Sequence, residues 1–203
     1  SSMASVRFDR AVGYYDATRG FAPGVAERIR EAIRAAAGAG HATRFLELGV
    51  GTGRIALPFL RAGDSYVGID LSRPMLQVLR DKLPAGARPP VVEGDVTRLP
   101  FAGGQFDVLL AVHVLHLVGD WRATLAEAQR VLRRPGLLLL AGETGGFDQL
   151  TTEAQALPPV RAQRAWGAIL DELGHPSRGG QPGVRPTDPA VREELERLGA
   201  TVE

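Results

Sequence analysis

Five short apolar runs recur along the chain: TRFLEL (43–48), SYVGID (65–70), PVVEG (90–94), FDVLLAV (106–112) and GLLLLAGE (136–143). Each is continuous rather than alternating, the pattern of a strand buried on both faces. Between them, apolar residues return at helical spacing in RIALPFLRAG (54–63), RPMLQVLRDKL (73–83) and WRATLAEAQRVLRR (121–134), the last stopped by Pro135-Gly136. Strand and helix therefore alternate. That order predicts right-handed crossovers and an α/β fold, a Rossmann-like, doubly wound, mostly parallel sheet with helices on both faces. Ahead of this core, GVAERIREAIRAAAG (24–38) reads as an amphipathic helix and VRFDRAVGYYDATRGF (6–21) as a shorter helical segment. One Gly/Pro-rich stretch, 174–189, reads as a long loop. The organisation expected is one domain over 4–203, divided into a helical cap (4–40), a core (43–143), a variable wall or lid (144–189) and a last helix leading into a sixth strand (190–203).

Composition narrows the function classes. With 203 residues, 44% hydrophobic and 23% charged, the chain can bury a full core. It contains no cysteine, which removes disulfides, thiolate metal sites and thiol catalysis. The net charge is +1 with signs interleaved, so neither nucleic acid nor an anionic membrane is expected as a partner, and a small-molecule ligand is. The longest apolar runs are too short to cross a bilayer and no leader is apparent, so a cytoplasmic protein is expected. Ser1 and Ser2 read as residues ahead of an initiating Met3. Of 24 basic residues only Lys82 is a lysine, a compositional bias to which no role attaches.

The chemistry concentrates in Glu47-Leu48-Gly49-Val50-Gly51-Thr52-Gly53, where a strand runs into an acid and then three alternate glycines. Glycines at a strand-to-helix turn let backbone lie against a ligand, because positive φ is tolerated and no Cβ intervenes. A dinucleotide fingerprint places its third glycine where Arg54 stands, which weakens that reading. A phosphate-cradling loop would need Gly-Lys-Ser/Thr after the turn, and none follows.

On these residues, and on the ordered matches that follow, the chain resembles the class I S-adenosylmethionine-dependent methyltransferases, of the broad family that includes ubiquinone- and menaquinone-biosynthesis-type enzymes. YVGIDLS supplies Asp70 at the end of a second strand, VEGDVTRLPF supplies Asp95 after a third, FDVLLAVHVLHLVGDW resembles the fourth strand and its loop, and AEAQRVLRRPGLLLLAGE the next helix, turn and strand. The resemblance spans about residues 43–143. It implies S-adenosylmethionine as cofactor, S-adenosylhomocysteine as product, and a small-molecule acceptor. It further implies that Gly49, Gly51 and Gly53 lie against the cofactor tail and ribose, with Glu47 orienting loop and ligand amino group. Asp70 would accept the ribose hydroxyls and Asp95 the adenine amino group, with adenine between Leu71 and Val96 and with Val112 lining the site. At the N-terminus, Tyr15 and Arg19 resemble a Tyr-x-x-x-Arg segment closing over the cofactor, with Arg19 pairing to its carboxylate.

Methyl transfer needs alignment more than a nucleophile, so a base matters only where the acceptor must lose a proton. His113 and His116 follow the fourth strand, and His113 is the candidate base. The His-x-x-His pair has no third ligand nearby in sequence, so no metal is expected. Asp95 has a competing reading as the cap of its own turn. Two other functional readings stay open: a non-catalytic module that binds S-adenosylmethionine or S-adenosylhomocysteine, and an NAD(P)-dependent oxidoreductase, against which Arg54 and Asp95 count.

The pattern is broken in two places. The family closes its sheet with a sixth strand and an antiparallel seventh, whereas here the sequence stops after a helix, PAVREELERLGATVE. The expectation is a truncated chain or, alternatively, a partner such as a second copy covering the open edge as a homodimer. The second departure is RRPGLLLL, where two glycines usually precede the fifth strand.

Overall fold

The computed structural model describes residues 21, 23–141 and 189–200. Tyr15, Arg19, the 6–20 segment, the 144–188 wall and residues 201–203 at the expected sixth strand lie outside the described residues.

Among the described residues, five parallel strands form the sheet: β1 (Arg44–Leu48), β2 (Ser65–Asp70), β3 (Val91–Glu93), β4 (Phe106–Val112) and β5 (Leu132–Ala141), in spatial order β3-β2-β1-β4-β5. The chain builds outward from β1 to β3, then crosses back to lay β4 on the other side of β1. That reversal opens a crevice at the carboxyl ends of β1 and β4, the place where open α/β sheets take their ligands.

Both faces are buried, as the continuous apolar runs require. Phe45, Tyr66, Val108 and Leu110 face one core with Ile29 and Ile33 of α1 (Val25–Ala36), Phe59 of α2 (Ala56–Arg61) and Leu76 and Leu79 of α3 (Arg73–Asp81). Leu46, Leu48, Ile69, Leu109 and Ala111 face the second core with Ala128 and Val131 of α4 (Trp121–Val131). Beside it, Val191 of α5 (Pro189–Arg197) packs on Trp121 and Leu125. Local chemistry fixes the helix starts. The Ser72 hydroxyl accepts the Met75 N–H to open α3, and Asp120 accepts the Ala123 N–H at 3.0 Å to open α4. Pro58 falls in the first turn of α2, where its missing N–H goes unused.

The expected end of α4 is corrected. The helix stops at Val131, not at Arg134, and β5 begins at Leu132. Phe106 pairs with Leu132, then Val108 pairs with Leu137, so Arg133 to Gly136 loop out of the ladder while the strand resumes. Gly136 is the one glycine this loop needs, because a Cβ there would run into the Arg133 carbonyl oxygen. Among the described residues, no helix is long and apolar enough to cross a membrane.

Candidate cofactor site at the carboxyl ends of the strands

The three glycines after β1 all adopt the left-handed conformation, with φ of 69° at Gly49, 54° at Gly51 and 83° at Gly53. Their surroundings differ. A Cβ on Gly49 would lie 2.6 Å from Cγ2 of Val114, and one on Gly53 would lie 2.8 Å from Cγ of Leu79. At Gly51 the nearest atom to such a Cβ would be the Gly49 carbonyl oxygen at 4.0 Å, so this glycine alone faces open space. Two of them serve packing and one bares the backbone.

A difference in response to alanine follows. Gly49→Ala should cost about 2–3 kcal/mol of folding stability, from left-handed strain plus the Val114 clash. Gly51→Ala should cost about 1 kcal/mol, from strain alone. Thermal melting of the two variants checks the order; equal losses would mean that the space above Gly51 is not open.

The loop is tied to β2. The Gly49 and Val50 N–H groups donate to the Ile69 carbonyl at 2.8 and 3.0 Å, and the Gly51 N–H donates to Oδ2 of Asp70 at 2.8 Å. Oδ1 of Asp70 accepts the Ser72 N–H at 2.8 Å. Asp70 thus joins the glycine loop to the start of α3, with Leu71 half-buried between. Lys82, in the cap of α3, donates from Nζ to the Thr52 carbonyl at 3.0 Å.

Glu47 sits beneath the loop, 3% exposed, on the face that Phe45 shares, and its Oε2 accepts the Tyr66 hydroxyl at 2.6 Å. Burial pushes its carboxyl from the ordinary 4.5 up to about 8; the Tyr66 hydrogen bond and the Arg54 charge pull the other way, and the Asp70 charge adds to the rise. Tyr66 is raised as well, by burial and by Glu47. At neutral pH the pair is a protonated carboxyl beside a neutral phenol.

After β3, the Gly94 N–H donates to the Asp70 carbonyl at 2.9 Å, which sets the next loop beside the first. Oδ1 of Asp95 accepts both the Thr97 N–H at 2.9 Å and the Thr97 hydroxyl at 2.8 Å, so the capping role is present. Its Oδ2 bonds to nothing among the described residues, and Asp95 is exposed. Val96 is buried with Leu48 and Ile69. The loop is clamped from behind: Glu127 accepts the Leu99 N–H at 2.7 Å, and Arg130 donates to the Leu99 and Phe101 carbonyls at 3.0 and 2.7 Å. Their mutual ion pair holds the Glu127 carboxyl below its ordinary range.

After β4, Val112 is half-buried and His113 takes a left-handed φ of 54°, with its N–H donating to the Ala141 carbonyl at 2.8 Å. A strained non-glycine backbone at the mouth of a crevice is held there by its surroundings. The following Val114 packs at Gly49, so the β1 and β4 loops touch. His116 lies in the 3-10 turn Leu115–Leu117.

Of the residues expected at the site, Glu47, the three glycines, Asp70, Leu71, Asp95, Val96, Val112 and His113 all fall on the three loops and strand ends around this crevice. A direct hydrogen bond joins Gly51 to Asp70. Tyr66, Lys82, Glu127 and Arg130 were not anticipated. A signal existed for Lys82, as the one lysine in the sequence.

A methyltransferase-domain family model matches residues 46–140, the stretch that carries this crevice. The chain belongs to the class I S-adenosylmethionine-dependent methyltransferases. It is 31% identical over 201 residues to the demethylmenaquinone methyltransferase of Streptomyces avermitilis, covering 95% of this chain and 83% of that protein. Among solved structures, the CcbJ methyltransferase of Streptomyces caelestis is 26% identical with a TM-score of 0.54, covering 73% of this chain and 60% of that one. The same fold occurs in a Haemonchus contortus phosphoethanolamine N-methyltransferase in complex with S-adenosylhomocysteine, at 17% identity and a TM-score of 0.63, over 95% of this chain and 42% of that one.

Proposed function

We propose that this chain binds S-adenosylmethionine across the carboxyl ends of β1 to β4 and transfers its methyl group to a small-molecule acceptor. The observation that carries this reading is the bare backbone at Gly51, bracketed by Asp70. The residues fit the ligand. Hydroxyls and amines call for carboxylate acceptors; Asp70 and Asp95 provide two at the crevice, and Glu47 is a buried carboxyl beneath it that an ammonium group would draw toward its ionised form. An ionised carboxylate accepts about four hydrogen bonds, and Asp70, which takes the Gly51 and Ser72 N–H groups, is the acceptor assigned to the ribose hydroxyls. The Val96 N–H and Oδ2 of Asp95 suit the adenine edge, and Leu71 and Val96 its faces. Glu47 acts on the ligand amino group from below the loop. The resemblance adds Tyr15 and Arg19 as cofactor contacts, residues that lie outside those the structure describes.

When bound, the cofactor supplies a methyl carbon on a sulfonium sulfur, a strongly activated leaving group. The protein's work is alignment and exclusion of water around it. Val112 and His113 hold the acceptor side of the crevice. His113 takes a proton at its imidazole when the acceptor must lose one as the new bond to carbon forms. The Streptomyces relative is named for a small acceptor, demethylmenaquinone. The interleaved charge of this chain supports the same class over nucleic acid.

The test is calorimetric titration with S-adenosylhomocysteine, with NAD and NADP on the same preparation. One-to-one saturable binding of the first alone is expected. Binding of a nicotinamide cofactor in its place overturns the reading.

A further inference from the structure

We infer that Lys82 is a positioning residue for the cofactor loop, holding the Thr52 carbonyl in the turn that the ligand meets; this rests on the cofactor reading above. The peptide between Thr52 and Gly53 leads into left-handed Gly53, at φ of 83°. Its N–H donates to the Val50 carbonyl at 3.0 Å, which holds one side of the peptide. A second hydrogen bond holds the other side. Nζ of Lys82 donates to the Thr52 carbonyl at 3.0 Å, in a part-buried setting where a charged donor is worth more than in water. Thr52 itself is 2% exposed.

The lysine is placed to do this by α3. Lys82 caps the helix, its N–H donating to the Val78 and Leu79 carbonyls at 3.3 and 3.2 Å. Leu79, three residues earlier and on the same helix face, fills the space where a Gly53 side chain would be. One helix end thus supports the loop twice, by packing under Gly53 and by charge at Thr52. Asp70, at the other end of the same loop-to-helix segment, fixes the Gly51 N–H. The carbonyl and the amide of successive residues are held by opposite charges from the two ends of one helix. Without the lysine, the peptide is held only at its N–H, the loop spends part of its time out of this turn, and ligand affinity falls by the fraction of chains in the competent conformation.

The chain has a single lysine, so the idea is testable both by mutation and by chemistry. S-adenosylhomocysteine is titrated by calorimetry into wild type, Lys82→Met and Lys82→Arg, each shown to be folded by a cooperative melt. Binding to the methionine variant is expected to be about tenfold weaker, while arginine, whose guanidinium reaches the same carbonyl, returns it to within about threefold of wild type. Equal affinity for wild type and the methionine variant overturns the inference, as does equal weakening of both variants. Should the methionine variant not fold, the wild-type chain is acetylated with acetic anhydride and the sites are read by mass spectrometry. Acetylation at Lys82 is expected to weaken binding, and saturating S-adenosylhomocysteine to slow reaction at Lys82 but not at the terminal amine. Unchanged affinity after complete Lys82 acetylation overturns the inference. No binding by unmodified wild type overturns the cofactor reading itself.

Discussion

Replacing Asp70 with alanine is expected to weaken S-adenosylhomocysteine binding by roughly two to three orders of magnitude, about 3–4 kcal/mol. Two losses add. The carboxylate acceptors for the ribose go, and with them the bonds that hold Gly51 and Ser72, at 2.8 Å each, which present the bare backbone to the ligand. Hydrogen bonds to a charged acceptor are worth about 1.5–3 kcal/mol, and a part-buried N–H left without one carries its own penalty. Asp70→Asn separates the two parts. It keeps one acceptor oxygen, so it should melt closer to wild type than the alanine variant, yet bind weakly because the charge that draws the hydroxyls is gone. Calorimetry and thermal melting on the three proteins measure both. Wild-type affinity in the alanine variant would remove the ribose role from Asp70 and with it the main support for the cofactor reading.

Asp70 is legible in the sequence by type and position, whereas Lys82 stands out only as the one lysine and its partner does not show. A strand buried on both faces leaves a continuous apolar run, so four of the five strands stand within a residue or so of where that pattern puts them. The fifth does not. Arg-Arg-Pro-Gly has turn chemistry and reads as a stop between helix and strand, but the pairing of Leu132 with Phe106 brings the residue before it into the sheet. Only the neighbouring strand makes that choice. The site divides in the same way. Glycines and acids at strand ends are legible because few residue types can bare a backbone or accept hydroxyls. The Tyr66 hydroxyl on Glu47 and the Lys82 amine on Thr52 join residues 19 and 30 positions apart, through the parallel register of β1 with β2 and the length of α3. Neither contact leaves a local pattern. Asp95 lay between these cases: the sequence offered turn cap and ligand acceptor, and the geometry satisfies the cap with one oxygen while leaving the other outward.

Glu47→Gln is expected to remove a loss of stability that the wild-type protein suffers as pH rises through neutrality. The folded protein holds the Glu47 proton up to about 8, whereas an exposed glutamate releases it near the ordinary 4.5. The folded state therefore binds the proton more tightly than the unfolded one. This contribution is fully present below about 4.5 and is lost as pH rises toward 8, at up to ~1.4 kcal/mol per pH unit. Glutamine has no proton to lose, matches the carboxyl in shape, and can still accept the Tyr66 hydroxyl through its amide oxygen. At pH 5 the two proteins should melt within a few degrees of each other. At pH 8 the variant should melt higher by about 10 °C, taking several kcal/mol at 2–4 °C each for a chain of this size. Parallel melting curves for the two proteins across that range would show that Glu47 is ionised when folded. A buried acid that opposes folding at neutral pH needs another reason to stand under the loop, and the cofactor reading gives one. An ammonium group brought above Glu47 would favour its ionised form. Affinity for S-adenosylhomocysteine should then rise between pH 6 and 8 in wild type beyond any rise in the glutamine variant, which would bind more weakly while folding more firmly.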